Sequence, residues 1–141
     1  MLSLKTHNVL DYAIGVVLLF IPVIFGFSAI DAARNSFLFA GFALIAYSLL
    51  TRYDYALWRV IPVGTHMGLD VLDGVFLMLA PWIFGYRDLL TPGQEVLHYV
   101  LALGVFGFVA LTRTYRDTGT SDIGSSIDYP RSTVDRDRRV G

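Results

Sequence analysis

The chain has 141 residues, of which 55% are hydrophobic and only 16% charged, with a net charge of −1 and no cysteine. Charge held in the loops and the C-terminal end is a membrane composition and not that of a water-soluble domain. The cysteine count excludes disulfides, thiolate metal sites and thiol catalysis, and the near-zero charge gives no reason to expect nucleic acid as a partner.

Four apolar runs follow one another: Val9 to Phe27, Phe37 to Leu50, Val71 to Tyr86 and Val96 to Leu111. A helix rises about 1.5 Å per residue and a hydrocarbon core is about 30 Å thick, so the first and third runs span it. The second and fourth reach span length with Asn35, Ser36 and Thr51, or Glu95 and Thr112, at the interfaces. A secretory signal is the rival reading of the first run, since Lys5 precedes it and small residues follow. Its length and its recurrence in mid-chain argue against that. A soluble bundle would need a polar face on every helix, and these runs are apolar all round.

The first helix is expected to start near Thr6 and the third near Thr65, both suited to N-capping. Pro22 and Pro81 are expected deep in those helices, each kinking its helix and freeing a carbonyl. Between the second and third runs lies RYDYALWRVIPVGT, whose Tyr53, Tyr55, Trp58 and two arginines suit the headgroup region, as a short interfacial helix stopped before Pro62. Thr91-Pro92-Gly93 reads as a turn. From Thr114 to the end, few large apolar residues remain, and residues 114–141 are expected to be a disordered cytoplasmic tail.

The chain is internally duplicated. Residues 65–85, THMGLDVLDGVFLMLAPWIFG, repeat residues 6–26, THNVLDYAIGVVLLFIPVIFG, at a constant offset of 59, with eleven of 21 positions identical. The second and fourth runs correspond at an offset of 61, through Leu50-Thr51-Arg52 and Leu111-Thr112-Arg113. The expected fold is an all-α membrane protein of four transmembrane helices. They form two tandem helical hairpins, repeat 1 over about 6–52 and repeat 2 over about 65–113, within a transmembrane domain of residues 1–113. Two spans per copy give both copies the same orientation, a parallel repeat about an axis along the membrane normal. Lys5, Arg52, Arg59, Arg113 and Arg116 flank one side and Arg34 and Arg87 the other, which places both termini in the cytoplasm and the chain in the cytoplasmic membrane.

The repeated proline segment, with Ala80-Pro81-Trp82 and Gly85 in the second copy, resembles the SPW-repeat family of small integral membrane proteins. In that family a Ser-Pro-Trp tripeptide marks the first of two transmembrane helices per repeat. Ala80 replaces the serine here, and the first copy, Ile21-Pro22-Val23, keeps only the proline. The resemblance implies architecture and membrane location, and it carries no catalytic residue.

At about 100° per residue, His7, Asp11, Gly15, Pro22 and Gly26 share one arc of the first helix, and His66, Asp70, Gly74, Pro81 and Gly85 the same arc of the third. The small and kinking positions mark this stripe as the packing seam between copies. Two His/Asp pairs at one depth could converge to bind a divalent metal or relay protons, or could be interfacial residues favoured by a helix N-terminus. Asp73, whose counterpart is Ile14, is an intramembrane acid and a further candidate, calling for a Tyr, Ser or His partner. His98 reads as a lone residue near the outer end of the fourth helix, and Gly104 and Gly107 as helix contacts.

No phosphate loop, nucleophile elbow or cofactor box is present, so no catalytic residue and no cofactor is expected. The leading expectation is a non-enzymatic structural or regulatory membrane element. Beyond the lipid bilayer, it would act through helix packing, self-association or a membrane-protein partner. The alternatives are a small proton or cation transporter using the His/Asp seam, and a metal-binding enzyme or sensor subunit.

Overall fold

The computed structural model describes residues 3–52 and 55–119. They form α1 (Leu4–Ile24), α2 (Asp31–Leu50), α3 (Val63–Ile83) and α4 (Pro92–Gly119), with a 3₁₀ turn at Arg87–Leu89. All four helices are long and apolar enough to cross a membrane. The expected all-α fold of two helical hairpins therefore stands. α1 packs on α2 and α3 on α4, α2 and α3 join the two hairpins, and α1 and α4 meet only sparsely.

The helices begin earlier than the apolar runs. Ser3, not Thr6, caps α1, its hydroxyl accepting from the Thr6 amide at 3.1 Å. α3 starts directly after Pro62, which puts Thr65 inside the first turn. Thr91-Pro92-Gly93 is not a free turn but the start of α4. Pro92 occupies the first helical position, where its missing N–H is no loss. Thr91 and Gln94 form a reciprocal cap, with the Thr91 amide donating to Gln94 Oε1 at 2.9 Å and the Gln94 amide to Thr91 Oγ1 at 3.4 Å. At its other end α4 runs past Arg113 to Gly119, so the first residues expected in the tail are helical. The rest of that tail, 120–141, lies outside the described residues.

The segment between the hairpins is not an interfacial helix. It folds back on the end of α2: the Leu57 and Trp58 amides donate to the Leu49 carbonyl, and those of Val60 and Ile61 to the Leu50 carbonyl. These bonds satisfy carbonyls that a helix end leaves free. Leu57 and Trp58 remain exposed.

Pro22 and Pro81 lie in the last turn of their helices and not deep within them, because α1 ends at Ile24 and α3 at Ile83. Little helix remains beyond either proline to be kinked. Gly26 and Gly85 follow with φ of 73° and 66°, which favours glycine. The Phe27 amide bonds the Pro22 carbonyl at 2.9 Å and that of Gly26 the Val23 carbonyl at 3.3 Å, with the matching pair at Tyr86 and Gly85. This is a glycine-centred helix stop. Gly26 and Gly85 are thus exposed caps and not packing residues, correcting the expected seam.

Gly15 and Gly74 do pack, but within their own hairpins. A Cβ on Gly15 would meet Ile45 at 2.6 Å, and one on Gly41 would meet the Gly15 carbonyl at 2.8 Å, whereas a Cβ on Gly74 would meet Phe106 and Val105. Gly104 and Gly107 are exposed, with nothing within 4 Å of an added Cβ, so they are not helix contacts. The core is Leu18, Ile21, Phe27, Ala33, Phe37, Ala40, Leu44, Leu77, Ala80 and Tyr86, toward the end of the bundle away from the start of α1. Phe20, Ile24, Phe42, Ile83 and Leu103 point outward, as lipid-facing residues should.

Candidate metal centre

His7 and Asp11 stand one turn apart on α1, and His66 and Asp70 one turn apart on α3, so each helix presents its pair on one face. The four side chains are buried, and one ligand atom from each lies within 4.8 Å of all the others. His66 Nε2 is 3.1 Å from Asp11 Oδ2 and 3.4 Å from Asp70 Oδ2. His7 Nε2 is 3.5 Å from Asp11 Oδ1 and 3.4 Å from Asp70 Oδ2. The pairs expected from the repeat therefore meet, each histidine facing both carboxylates.

The orientation of the imidazoles follows from the second and fourth helices. The Thr51 hydroxyl donates to the Tyr47 carbonyl at 2.6 Å and lies 2.8 Å from His66 Nδ1. Thr112 repeats this, donating to the Phe108 carbonyl at 3.0 Å and lying 3.0 Å from His7 Nδ1. A hydroxyl has one proton, and here it is committed to a carbonyl, so each threonine accepts from an Nδ1–H. In the neutral tautomer this leaves both Nε2 lone pairs aimed at the carboxylates.

The supports cross between repeats: Thr51 of repeat 1 orients His66 of repeat 2, and Thr112 of repeat 2 orients His7 of repeat 1. His7 also stacks on Phe108 at 4.3 Å and 6°, while Tyr47 meets His66 edge-on at 5.0 Å. The Tyr47 hydroxyl donates to Asp70 Oδ1 at 2.9 Å, which leaves Oδ2 turned to the histidines. In the sequence Thr51 and Thr112 read as interfacial residues and nothing marks Tyr47. The signal for the threonines was present in their coincidence at the offset of 61.

Two carboxylates and two imidazole lone pairs cannot sit together in a buried site without positive charge between them. A proton on each imidazole would supply it, as in the 3.1 Å hydrogen bond between His66 Nε2 and Asp11 Oδ2, and so would a divalent cation. Four ligands about 2.05 Å from a tetrahedral ion stand about 3.3 Å apart. The histidine-to-carboxylate separations, 3.1 to 3.5 Å with Asp11 using both of its oxygens, lie near that value, while one ligand atom from each residue lies within 4.8 Å of the others, a looser set than a closed tetrahedron. Histidines that give Nδ1–H to a neighbour and turn Nε2 inward, beside a carboxylate held by a tyrosine, have the outer support that metal ligands require.

The other expected residues are placed differently. Asp73 is half-buried and lines a cavity beside the cluster with Asp11, Asp70 and Tyr47, and it makes no hydrogen bond or ion pair with any described residue. His98 is buried and belongs to a separate cluster at the other end of the bundle: its Nδ1 donates to the Gln94 carbonyl at 2.7 Å, and Nε2 lies 3.3 Å from the Tyr86 hydroxyl. Burial pushes the Tyr86 phenol above its ordinary pKa, consistent with its staying the neutral donor.

These features define a duplicated, four-helix, multi-pass membrane protein whose two copies share one buried His/Asp cluster. The SPW repeat domain model matches residues 5–112, and the chain belongs to that family. Among curated proteins and solved structures, nothing matches it.

Proposed function

We propose that this protein is a membrane-embedded binder of a divalent first-row transition metal, with Zn²⁺ the simplest fit, in which the ion fastens the two repeats together. The observation that carries this reading is the convergence of two Nε2 atoms and two carboxylates in one buried site, each imidazole oriented from behind by a threonine of the other repeat. Mixed imidazole and carboxylate ligands suit zinc and its neighbours better than calcium or magnesium.

The role is structural or regulatory and not enzymatic. Four protein ligands close a tetrahedral site, whereas catalytic zinc keeps a position open for water or substrate. Self-association or a membrane-protein partner would extend the same role. The bias of flanking arginines supports both termini in the cytoplasm of a cell membrane, which puts the centre near the cytoplasmic surface. Conduction is the weaker reading, since Phe27, Ala33, Phe37, Ala40 and Ala80 form an apolar core toward the outer side.

Metal analysis of the full-length chain, purified in detergent without added metal or chelator, tests the reading. One ion per chain is expected, falling to background in His7→Ala and in His66→Ala. Wild-type protein that stays metal-free after incubation with Zn²⁺, Fe²⁺ and Mn²⁺ would refute it.

A further inference from the structure

The pseudo-twofold symmetry fails on one flank of the bundle. Across α2 and α3, Phe39 and Phe76 meet with ring centroids 5.3 Å apart. Their counterparts by the two repeat offsets are Val100 on α4 and Val17 on α1, both smaller and both more than half exposed, at 58% and 53%. α1 and α4 are tied at both ends: His7 reaches Thr112 and Phe108 at one, and Gln94 Nε2 donates to the Phe25 carbonyl at 2.8 Å at the other. Between those ties the two helices touch little. On this thinly packed flank, a lateral window in the bundle, Val100 and the bare backbone of Gly104 are exposed and also line a cavity.

Behind the window lies a cavity of about 300 Å³, lined by residues of all four helices. That is the lower end of the range for small-molecule pockets, about 300 to 1,000 Å³. Two of its symmetry-related positions have diverged in polarity: Ile14 faces the cavity from α1 where α3 gives Asp73, and Phe108 from α4 where α2 gives Tyr47. One wall is therefore apolar and the other carries a tyrosine hydroxyl and a carboxyl that no described residue satisfies. A carboxyl in such surroundings favours a partner that brings donors and positive charge and has no acceptor to be left unmet.

We propose that the window and cavity form a binding site for a small lipophilic amine that enters from the bilayer. Its ammonium group pairs with the Asp73 carboxylate beside Tyr47, and its apolar body rests on Ile14, Leu18 and Phe108. The site is distinct from the metal centre in its acid, although it shares a wall with Asp11 and Asp70. It requires a ligand delivered through lipid, because the opening faces the membrane flank.

The test uses the full-length chain in nanodiscs with three probes of one size: 1-naphthylmethylamine, 1-naphthylmethanol and 1-naphthoate. Binding is read by fluorescence against empty discs. The amine is expected to bind saturably at one per chain, at least tenfold tighter than the alcohol, with the naphthoate not bound. Asp73→Asn should erase the preference for the amine. Gly104→Leu, which fills the rim from a position with open space around it, should weaken the amine at least tenfold. Equal binding of amine and alcohol, or an unchanged amine preference in Asp73→Asn, would overturn the proposal. If Asp73→Asn does not assemble, undiminished binding in Gly104→Leu does so. Metal content is measured on the same samples and is expected to match wild type in both variants, so the amine site and the metal centre stand or fall separately.

Discussion

The hydroxyl of Thr51 lies 2.8 Å from Nδ1 of His66, joining the last residue of one hairpin to the first turns of the other. Thr112 and His7 make the same bond in the opposite sense at 3.0 Å. Each repeat therefore supplies two of the four clustered side chains and the support for one histidine of its twin. A single hairpin could present a His and an Asp but could not orient the histidine, which gives a physical reason for the duplication.

Removing that support should loosen the metal without dismantling the bundle. Thr51→Val and Thr112→Val are close in shape and delete only the hydroxyl. Loss of a group that orients a ligand costs about 10- to 100-fold in metal affinity. Each variant is expected to bind Zn²⁺ within that range below wild type, in competition with a chromophoric chelator. Equal affinity in the double variant would mean that the threonines only cap their helices.

Removing the ion should lower stability in proportion to its occupancy. A ligand held by the folded state at 100 times its Kd adds about 2.7 kcal/mol. Thermal melting of the purified protein in detergent should therefore shift downward on addition of a strong chelator and recover when Zn²⁺ is restored in excess. In Asp11→Asn/Asp70→Asn, which keeps the shapes but loses both negative charges, the chelator should leave the melting temperature unchanged.

The duplication, the four spans and the two His/Asp pairs were legible because each depends on local pattern. Apolar length marks a span, and i, i+4 spacing places a pair on one helical face. What stayed hidden depends on how one helix is rotated against another. Thr51 and Thr112 looked like interfacial residues until α2 and α4 were seen to turn them onto the histidines. Gly26 and Gly85 shared an arc with Asp11 and Asp70 only on the assumption that the helix continued past its proline. Both helices stop two residues beyond it, and the glycines become caps. Gly104 and Gly107 looked like contacts because small residues permit close approach, but nothing in the sequence says which way such a residue faces.

That distinction among glycines is measurable. A Cβ on Gly41 would stand 2.8 Å from the Gly15 carbonyl and 2.7 Å from Leu19, and the backbone contact cannot yield without separating α1 from α2. Overpacking of this kind costs about 1 to 3 kcal/mol. Gly41→Ala should be destabilised by that order in reversible unfolding from mixed micelles. Gly107→Ala, with open space around the new methyl, should match or slightly exceed wild type. A reversed order would mean that the α1/α2 hairpin is not the close contact.

The two repeats also differ at two buried polar positions that invite exchange. Asn8 is fully buried and neither amide atom has a hydrogen-bond partner among the described residues, while its counterpart at the offset of 59 is the buried Met67. Ser48 is likewise buried with no partner for its hydroxyl among the described residues, and its counterpart at the offset of 61 is the buried Val109. An unsatisfied buried polar group costs about 1 to 3 kcal/mol, and replacing it by an apolar group of similar shape removes that cost. Asn8→Met and Ser48→Val should therefore raise the melting temperature, separately and together. Metal content and Zn²⁺ affinity should hold in both, because neither residue is one of the four clustered side chains. If Asn8→Met instead loses the metal while remaining folded, Asn8 serves the neighbouring His7, and its burial is a requirement of the site and not a tolerated strain on the fold.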